Sequence, residues 1–165
     1  MTQYGLDPEQ LIEYVIRPTL NYLDMGGKQA EALVLGTGMV ESNLRAIQQY
    51  GGPARSIYQI EPTTHDDHWD NFLEYRGNLK QKVSDLCGYN GLGQWGRVDE
   101  LWGNLPYATA MCRLKYWRSP HPLPPMDADA MGKYWKDIYN SHLGAGDATK
   151  AADHFHNAIN HVKRN

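Results

Sequence analysis

Glu41 is the residue whose type and position most clearly suggest chemistry. Counting back from it at helical spacing gives Gly38, Thr37, Val34, Leu33 and Ala30, so its carboxylate falls on the stripe that should face a core. Glutamate is rarely buried without a partner, because desolvation disfavours the ionised form and raises the pKa above its usual value of about 4.3. A proton donor working near neutral pH needs that shift. The ordinary alternative is a glutamate just past a frayed helix end, in water. What sets Glu41 apart is its sequel: Ser42 follows directly, and Tyr58-Gln59-Ile60-Glu61-Pro62 comes after a short turn-rich stretch.

Glu41-Ser42 followed by Tyr58-Gln59-Ile60-Glu61-Pro62 resembles the first two motifs of the lysozyme-like soluble lytic transglycosylases, whose pattern is Glu-Ser and then Gly-Leu-Met-Gln-x-x-Pro. Similar modules occur in phage virion proteins. The resemblance implies that Glu41 is the catalytic acid/base, that Ser42 supports it, and that Tyr58 and Gln59 line a saccharide groove. Ser56-Ile57 stands where the family has Gly-Leu, and Gly51-Gly52-Pro53 just upstream can supply the turn instead. A looser third match sets Ile138-Tyr139-Asn140-Ser141 against Ala-Tyr-Asn-Ala-Gly, with the glycine displaced to Gly144 and Gly146. It makes Tyr139 and Asn140 candidates to contact Glu41 or the sugar, the alternative being that Tyr139 is a core tyrosine.

The activity so implied is cleavage of the β-1,4 bond between MurNAc and GlcNAc in peptidoglycan by a single glutamate, leaving 1,6-anhydroMurNAc ends, with no cofactor and no metal. Ordinary glycoside hydrolysis uses two carboxyl groups about 5 to 10 Å apart. Glu61, Asp66 and Asp67 are the candidates for a second, and Glu61 lies inside the groove motif, so a muramidase is one alternative. A non-catalytic virion structural or wall-binding protein on the same scaffold is another. His65 and His68, with Asp66 and Asp67 between them, could ligate a metal, but no HExxH or Cys/His framework completes a shell. His154, His156 and His161 read as a solvated helix face.

These residues need elements to position them. Gly36 and Gly38 weaken the Glu41 helix and make sense if something must approach closely there; that helix should end near Glu41. Before it, Asp7-Pro8-Glu9-Gln10 opens a first helix with Leu11, Ile12, Val15, Ile16, Leu20 and Leu23 on one stripe, which Pro18 should kink or end and Gly26-Gly27 should close. After Pro62, Thr63-Thr64-His65-Asp66-Asp67 should cap and start a helix that buries Trp69, Phe72 and Leu73, with a break at Gly77-Asn78 before Leu79, Val83 and Leu86. Residues 87–103 are rich in glycine and aromatics. Tyr89, Trp95 and Trp102 there are either sugar-stacking platforms or pins that hold a loop to the core. Helix returns at Asn104-Leu105-Pro106, with Ala108, Met111, Cys112, Lys115 and the stem of Arg118 in phase. A proline-rich connector follows. Asp127 caps a helix with Met131, Tyr134, Trp135, Ile138, Tyr139 and His142 on one side, and Asp147 caps the last, carrying Ala151, Ala152, Phe155, Ala158, Ile159 and Val162.

The expected fold is α+β and predominantly α-helical: one lysozyme-like domain over residues 1–165, with a small β-like flap from residues 51–60 beside the active-site cleft. With 41% hydrophobic and 21% charged residues the composition is globular, and no apolar run is long enough to span a bilayer. A net charge of −3 argues against a duplex-DNA partner. Met1 to Gln10 shows no secretory signal, so synthesis in a cytoplasm is expected, with a virion, tail tube or lysis pore carrying the protein to the wall. Expected partners are peptidoglycan strands and other virion or tail proteins, not nucleic acid or membrane. Cys87 and Cys112 read as buried free thiols.

Overall fold

The computed structural model describes residues 3–88, 97–140 and 144–165. Tyr89, Trp95, Ser141 and His142 lie outside the described residues.

Helix α1 runs over residues 8–22 in three contiguous pieces: Pro8–Leu11, a π-helical stretch Ile12–Ile16, and Arg17–Tyr22. The Asp7 carboxylate accepts the N–H groups of Glu9 and Gln10 at 2.9 and 3.2 Å, which is the cap the sequence indicates. Pro18 does not end this helix. A proline inside an α-helix lacks one N–H and crowds the carbonyl four residues back. Just upstream the chain widens to bonds five residues long, the Arg17 N–H reaching the Ile12 carbonyl, and the helix continues past the proline to Tyr22.

Helix α2, Lys28–Ser42, is buried from Ala30 to Met39 on every face. A helix apolar all round belongs in the interior. Glu31, buried near the start of this helix, is answered by Arg17 of α1 through a fork of bonds, from Nε at 3.1 and 3.2 Å and from Nη2 at 2.7 Å. The two glycines mark close approaches of side chains. A Cβ on Gly36 would stand 2.2 Å from the Phe155 ring, and one on Gly38 would stand 2.7 Å from the Leu44 side chain. Helix α2 ends at Ser42, where Asn43 (φ 53°) and Leu44 (φ 56°) turn left-handed and their N–H groups bond to the Met39 and Gly38 carbonyls. Glu41 is thereby held in the last turn.

The expected β-like flap is absent, and with it the α+β class: the described residues contain no strand, and their regular structure is all helical. Residues 51–60 make only two isolated bridges, Gln48 with Arg55 and Arg55 with Ile60. Gly51 (φ 73°), Ser56 (φ 72°) and Gln59 (φ 52°) are all left-handed, so the chain reverses before any ladder can propagate.

Helix α3, Pro62–Asn71, starts earlier than Thr63-Thr64 suggests: Glu61 is its extended N-cap residue, without a side-chain cap bond, and Pro62 takes the first position. A 3-10 turn, Leu73–Tyr75, leads to α4, Gly77–Cys87, and a second, Arg97–Trp102, leads to α5, Leu105–Trp117. Helix α6 comprises Ala128–Tyr134 and a π-helical continuation, Trp135–Asn140; α7 is Ala148–Arg164. Asn104, Asp127 and Asp147 cap α5, α6 and α7 with their side chains. Helix α7 packs against α2 and α6 most extensively, burying Ala151, Phe155, Ala158 and Val162. Both cysteines are buried thiols. Among the described residues no helix is long and apolar enough to cross a membrane.

Candidate active site

The last turn of α2 presents Glu41 to a cleft of about 320 Å³. Gln59 and Glu61 from the turn segment and Thr64 from α3 line one part of it; Lys115 of α5 and Ile138, Tyr139 and Asn140 of α6 line the rest. Trp135 donates its indole N–H to Glu41 Oε2 at 3.0 Å. Burial pushes the Glu41 carboxyl up to about 7, against the pull of the Trp135 hydrogen bond and the Lys115 charge. Near neutral pH, then, Glu41 can both give and take a proton.

Among the described residues lining the cleft, Lys115 is the cation. Its ammonium donates to the Tyr139 carbonyl at 2.6 Å and lies 4.3 Å from the centre of that residue's ring. Burial lowers its pKa, opposed by the charges of Glu41, Cys112 and Glu61. One ammonium therefore sits in the field of both cleft carboxyl groups.

The residues singled out by sequence divide into lining and support. Gln59, Glu61, Tyr139 and Asn140 line the cleft with Glu41. Asn140 is oriented by bonds to its Oδ1 from Lys136 Nζ at 2.8 Å and the Gly146 N–H at 3.2 Å. Ser42 instead donates to the Ile57 carbonyl at 2.7 Å, tying the end of α2 to the turn segment. Tyr58 is fully buried, its hydroxyl 2.8 Å from Thr109 Oγ1, and its carbonyl accepts the Tyr139 hydroxyl at 2.6 Å. The Tyr139 hydroxyl thus holds the turn segment rather than Glu41. Tyr139→Phe is expected to destabilise the fold by about 1–2 kcal/mol, since a buried carbonyl loses its donor; an unchanged urea midpoint would contradict this role.

Of the other candidate carboxylates, Asp66 bonds to His65 Nδ1 at 3.0 Å, and Asp67 pairs with Arg118 at 2.8 Å. Only Glu61 of the three lines the cleft of Glu41. Trp102 is covered on one face by the Arg55 guanidinium, 4.0 Å from the ring centre, and donates to Gln48 at 2.8 Å, which is how a residue pinning a loop behaves. Among the described residues no group of three His, Cys, Asp or Glu side chains is disposed to hold a metal ion. His65 instead meets the Tyr107 hydroxyl at 2.6 Å. Family models, curated proteins and solved structures yield no match to this chain.

His68 is buried, with Nδ1 accepting from Arg118 at 3.0 Å and Nε2 without a hydrogen-bond partner among the described residues. Burial, with help from the Arg118 and Lys115 charges, pushes it down to about 3 from the ordinary 6.5. A lowered histidine stabilises the fold fully above pH 6.5 and progressively less as pH falls toward 3, because the unfolded chain gains a proton the fold excludes. His68→Leu is therefore expected to gain on the order of 1–2 kcal/mol relative to wild type between pH 7 and pH 5. A pH-independent difference in their denaturation midpoints would contradict this.

Sequence reasoning did not assign roles to Lys115 and Trp135. Lys115 had a signal, a charge in phase with Ala108, Met111 and Cys112 on an apolar stripe, the same anomaly that marks Glu41. Trp135 had none: it meets Glu41 across 94 positions of sequence. Its removal has a clear readout. Trp135→Phe deletes a hydrogen bond to the ionised carboxylate, so the Glu41 midpoint followed by carbon NMR is expected to rise from about 7 in the wild type to a higher value; a midpoint between 4 and 5 in the wild type would sink the assignment of Glu41 as a perturbed acid.

Proposed function

We propose that the protein cleaves the β-1,4 bond between MurNAc and GlcNAc in peptidoglycan as a lytic transglycosylase. The observation that carries this reading is Glu41: a carboxyl group held near pKa 7 by burial, at the end of a central helix, opening on a polar cleft. The motif resemblance at Glu41-Ser42, Gln59 and Tyr139-Asn140 supplies the substrate class. Protonated Glu41 gives its proton to the glycosidic oxygen as the bond from the anomeric carbon breaks and its electron pair passes to that oxygen. The resulting carboxylate takes the proton of the MurNAc 6-hydroxyl as that oxygen bonds to the anomeric carbon, closing the anhydro ring and restoring Glu41. The attacking hydroxyl belongs to the same sugar, so effective molarity is high and no second carboxylate is needed. Lys115 stabilises the carboxylate between the two proton transfers. The similarity to modules of phage virions favours a virion or tail as the carrier to the wall.

Glu61 in the same cleft supports a second reading, hydrolysis with Glu61 as nucleophile or base. Glu61→Gln separates the two. A transglycosylase is expected to lose only part of its rate, through altered positioning, whereas complete loss in the variant together with reducing-end products from the wild type would make the enzyme a two-carboxylate muramidase. Because the donor must be protonated, kcat/KM is expected to fall about tenfold per pH unit above the Glu41 midpoint.

A further inference from the structure

The cleft does not close at Lys115. A second cavity, of about 580 Å³, is lined by the same Thr64, Lys115 and Ile138 and by Thr63, Asp67, Arg118 and Ser119, so the two are immediate neighbours. Along that path the charge changes sign: Glu41 and Glu61 lie at one end, Lys115 in the middle and Arg118 at the other.

We infer that this second groove holds a carboxylate of the peptide that substitutes muramic acid, an inference that rests on the glycosidase reading above. Arg118 is built for the task. Its Nη1 is fixed by Asp67 at 2.8 Å and His68 at 3.0 Å, and its guanidinium carbon lies 5.4 Å from the Phe72 ring centre. Among the described residues Nε and Nη2 have no hydrogen-bond partner, which leaves an oriented pair of donors of the kind that grips a carboxylate. Asp67 offsets one positive charge, and Lys115, with one proton committed to the Tyr139 carbonyl, supplies a second. Thr63 and Thr64 bring the first turn of α3 to the same groove, and the Glu61 N-cap leaves that turn without a side-chain cap. In the proposed reaction the 6-hydroxyl must be unsubstituted because it attacks. The acidic substituent of the reacting sugar is then the peptide on its lactyl ether, and that is the group proposed to enter the groove while the sugar lies at Glu41.

The test compares turnover of three substrates: native peptidoglycan, the same material with its peptide carboxylates converted to amides, and glycan strands stripped of peptide with the lactyl carboxyl that stripping exposes also converted to its amide. The wild type is expected to show a KM about tenfold lower for native material than for either modified form, with little change in kcat. In Arg118→Gln the native KM should rise to the level of the amidated substrate, circular dichroism confirming the fold. Equal KM values for the three substrates in the wild type would overturn the inference, and this comparison decides the matter even if Arg118→Gln does not fold. An Arg118→Gln effect equal on all three would overturn it too. Absence of turnover on every substrate would remove the glycosidase reading and this inference with it.

Discussion

Glu41→Gln is expected to eliminate release of muropeptides from purified peptidoglycan, a loss of roughly 10²–10⁴-fold or more, while the variant folds and is more stable than wild type above neutral pH. The amide keeps the shape and can still meet the Trp135 N–H at its carbonyl oxygen, but it has no proton to give the leaving oxygen. The stability gain follows from linkage. Glu41 is raised from about 4.5 to about 7 in the fold, so between those values the folded chain keeps a proton that the unfolded chain releases. Wild-type stability therefore declines as pH rises through that window, by at most about 3 kcal/mol, and the Glu41→Gln substitution removes the decline. Denaturation at pH 5 and pH 8 checks it: the advantage of the variant should be larger at pH 8. A variant that retains full activity would end the assignment, and one that unfolds would make Glu41 a structural residue.

The largest stability effect expected from a single added methyl group is at Gly36. Its Cβ would lie 2.2 and 2.4 Å from two atoms of the Phe155 ring, which is fully buried in α7 and cannot swing into solvent. Helix propensity favours alanine over glycine by about 1 kcal/mol, yet overpacking a closed core typically costs about 1–3 kcal/mol or more and displaces elements. Gly36→Ala is expected to lower the melting midpoint by roughly 3–10 °C, the α2–α7 contact being the one that yields. A double-mutant cycle with Phe155→Leu identifies the cause: the smaller side chain should recover part of the loss, giving a coupling of about 1 kcal/mol or more. Strict additivity would mean that the strain lies elsewhere. Because α2 also carries Glu41 in its last turn, the same substitution should perturb the NMR titration of that carboxyl.

Much of the helical frame is legible in the chain because it is written locally. Asp7, Asn104, Asp127 and Asp147 each cap the helix their position indicates, and the burial of Phe155, Ala158 and Val162 follows their spacing. What failed depends on partners far away in sequence or on unusual backbone. Pro18 is carried by a π-helical turn that local rules do not foresee. The supposed flap fails because Ser56 and Gln59 take left-handed conformations ordinarily associated with glycine, so the stretch expected to form a β-like flap becomes consecutive turns. At the site, Glu41, Gln59, Glu61, Tyr139 and Asn140 line one cleft, while Ser42 and Tyr58 make their hydrogen bonds behind it. Lys115 was visible as a misplaced charge and read only as part of a helical stripe. Trp135 could emerge only from the three-dimensional packing of α6 against the end of α2.

Mass analysis of the muropeptides that the wild-type protein releases from purified peptidoglycan in ¹⁸O-labelled water tests the central claim most directly. The expected products end in anhydroMurNAc, one water lighter than reducing-end products and free of ¹⁸O at the anomeric carbon, because in the proposed reaction the 6-hydroxyl and not solvent closes on that carbon while Glu41 shuttles the proton. Reducing ends labelled with ¹⁸O, or no soluble product at all, would contradict it.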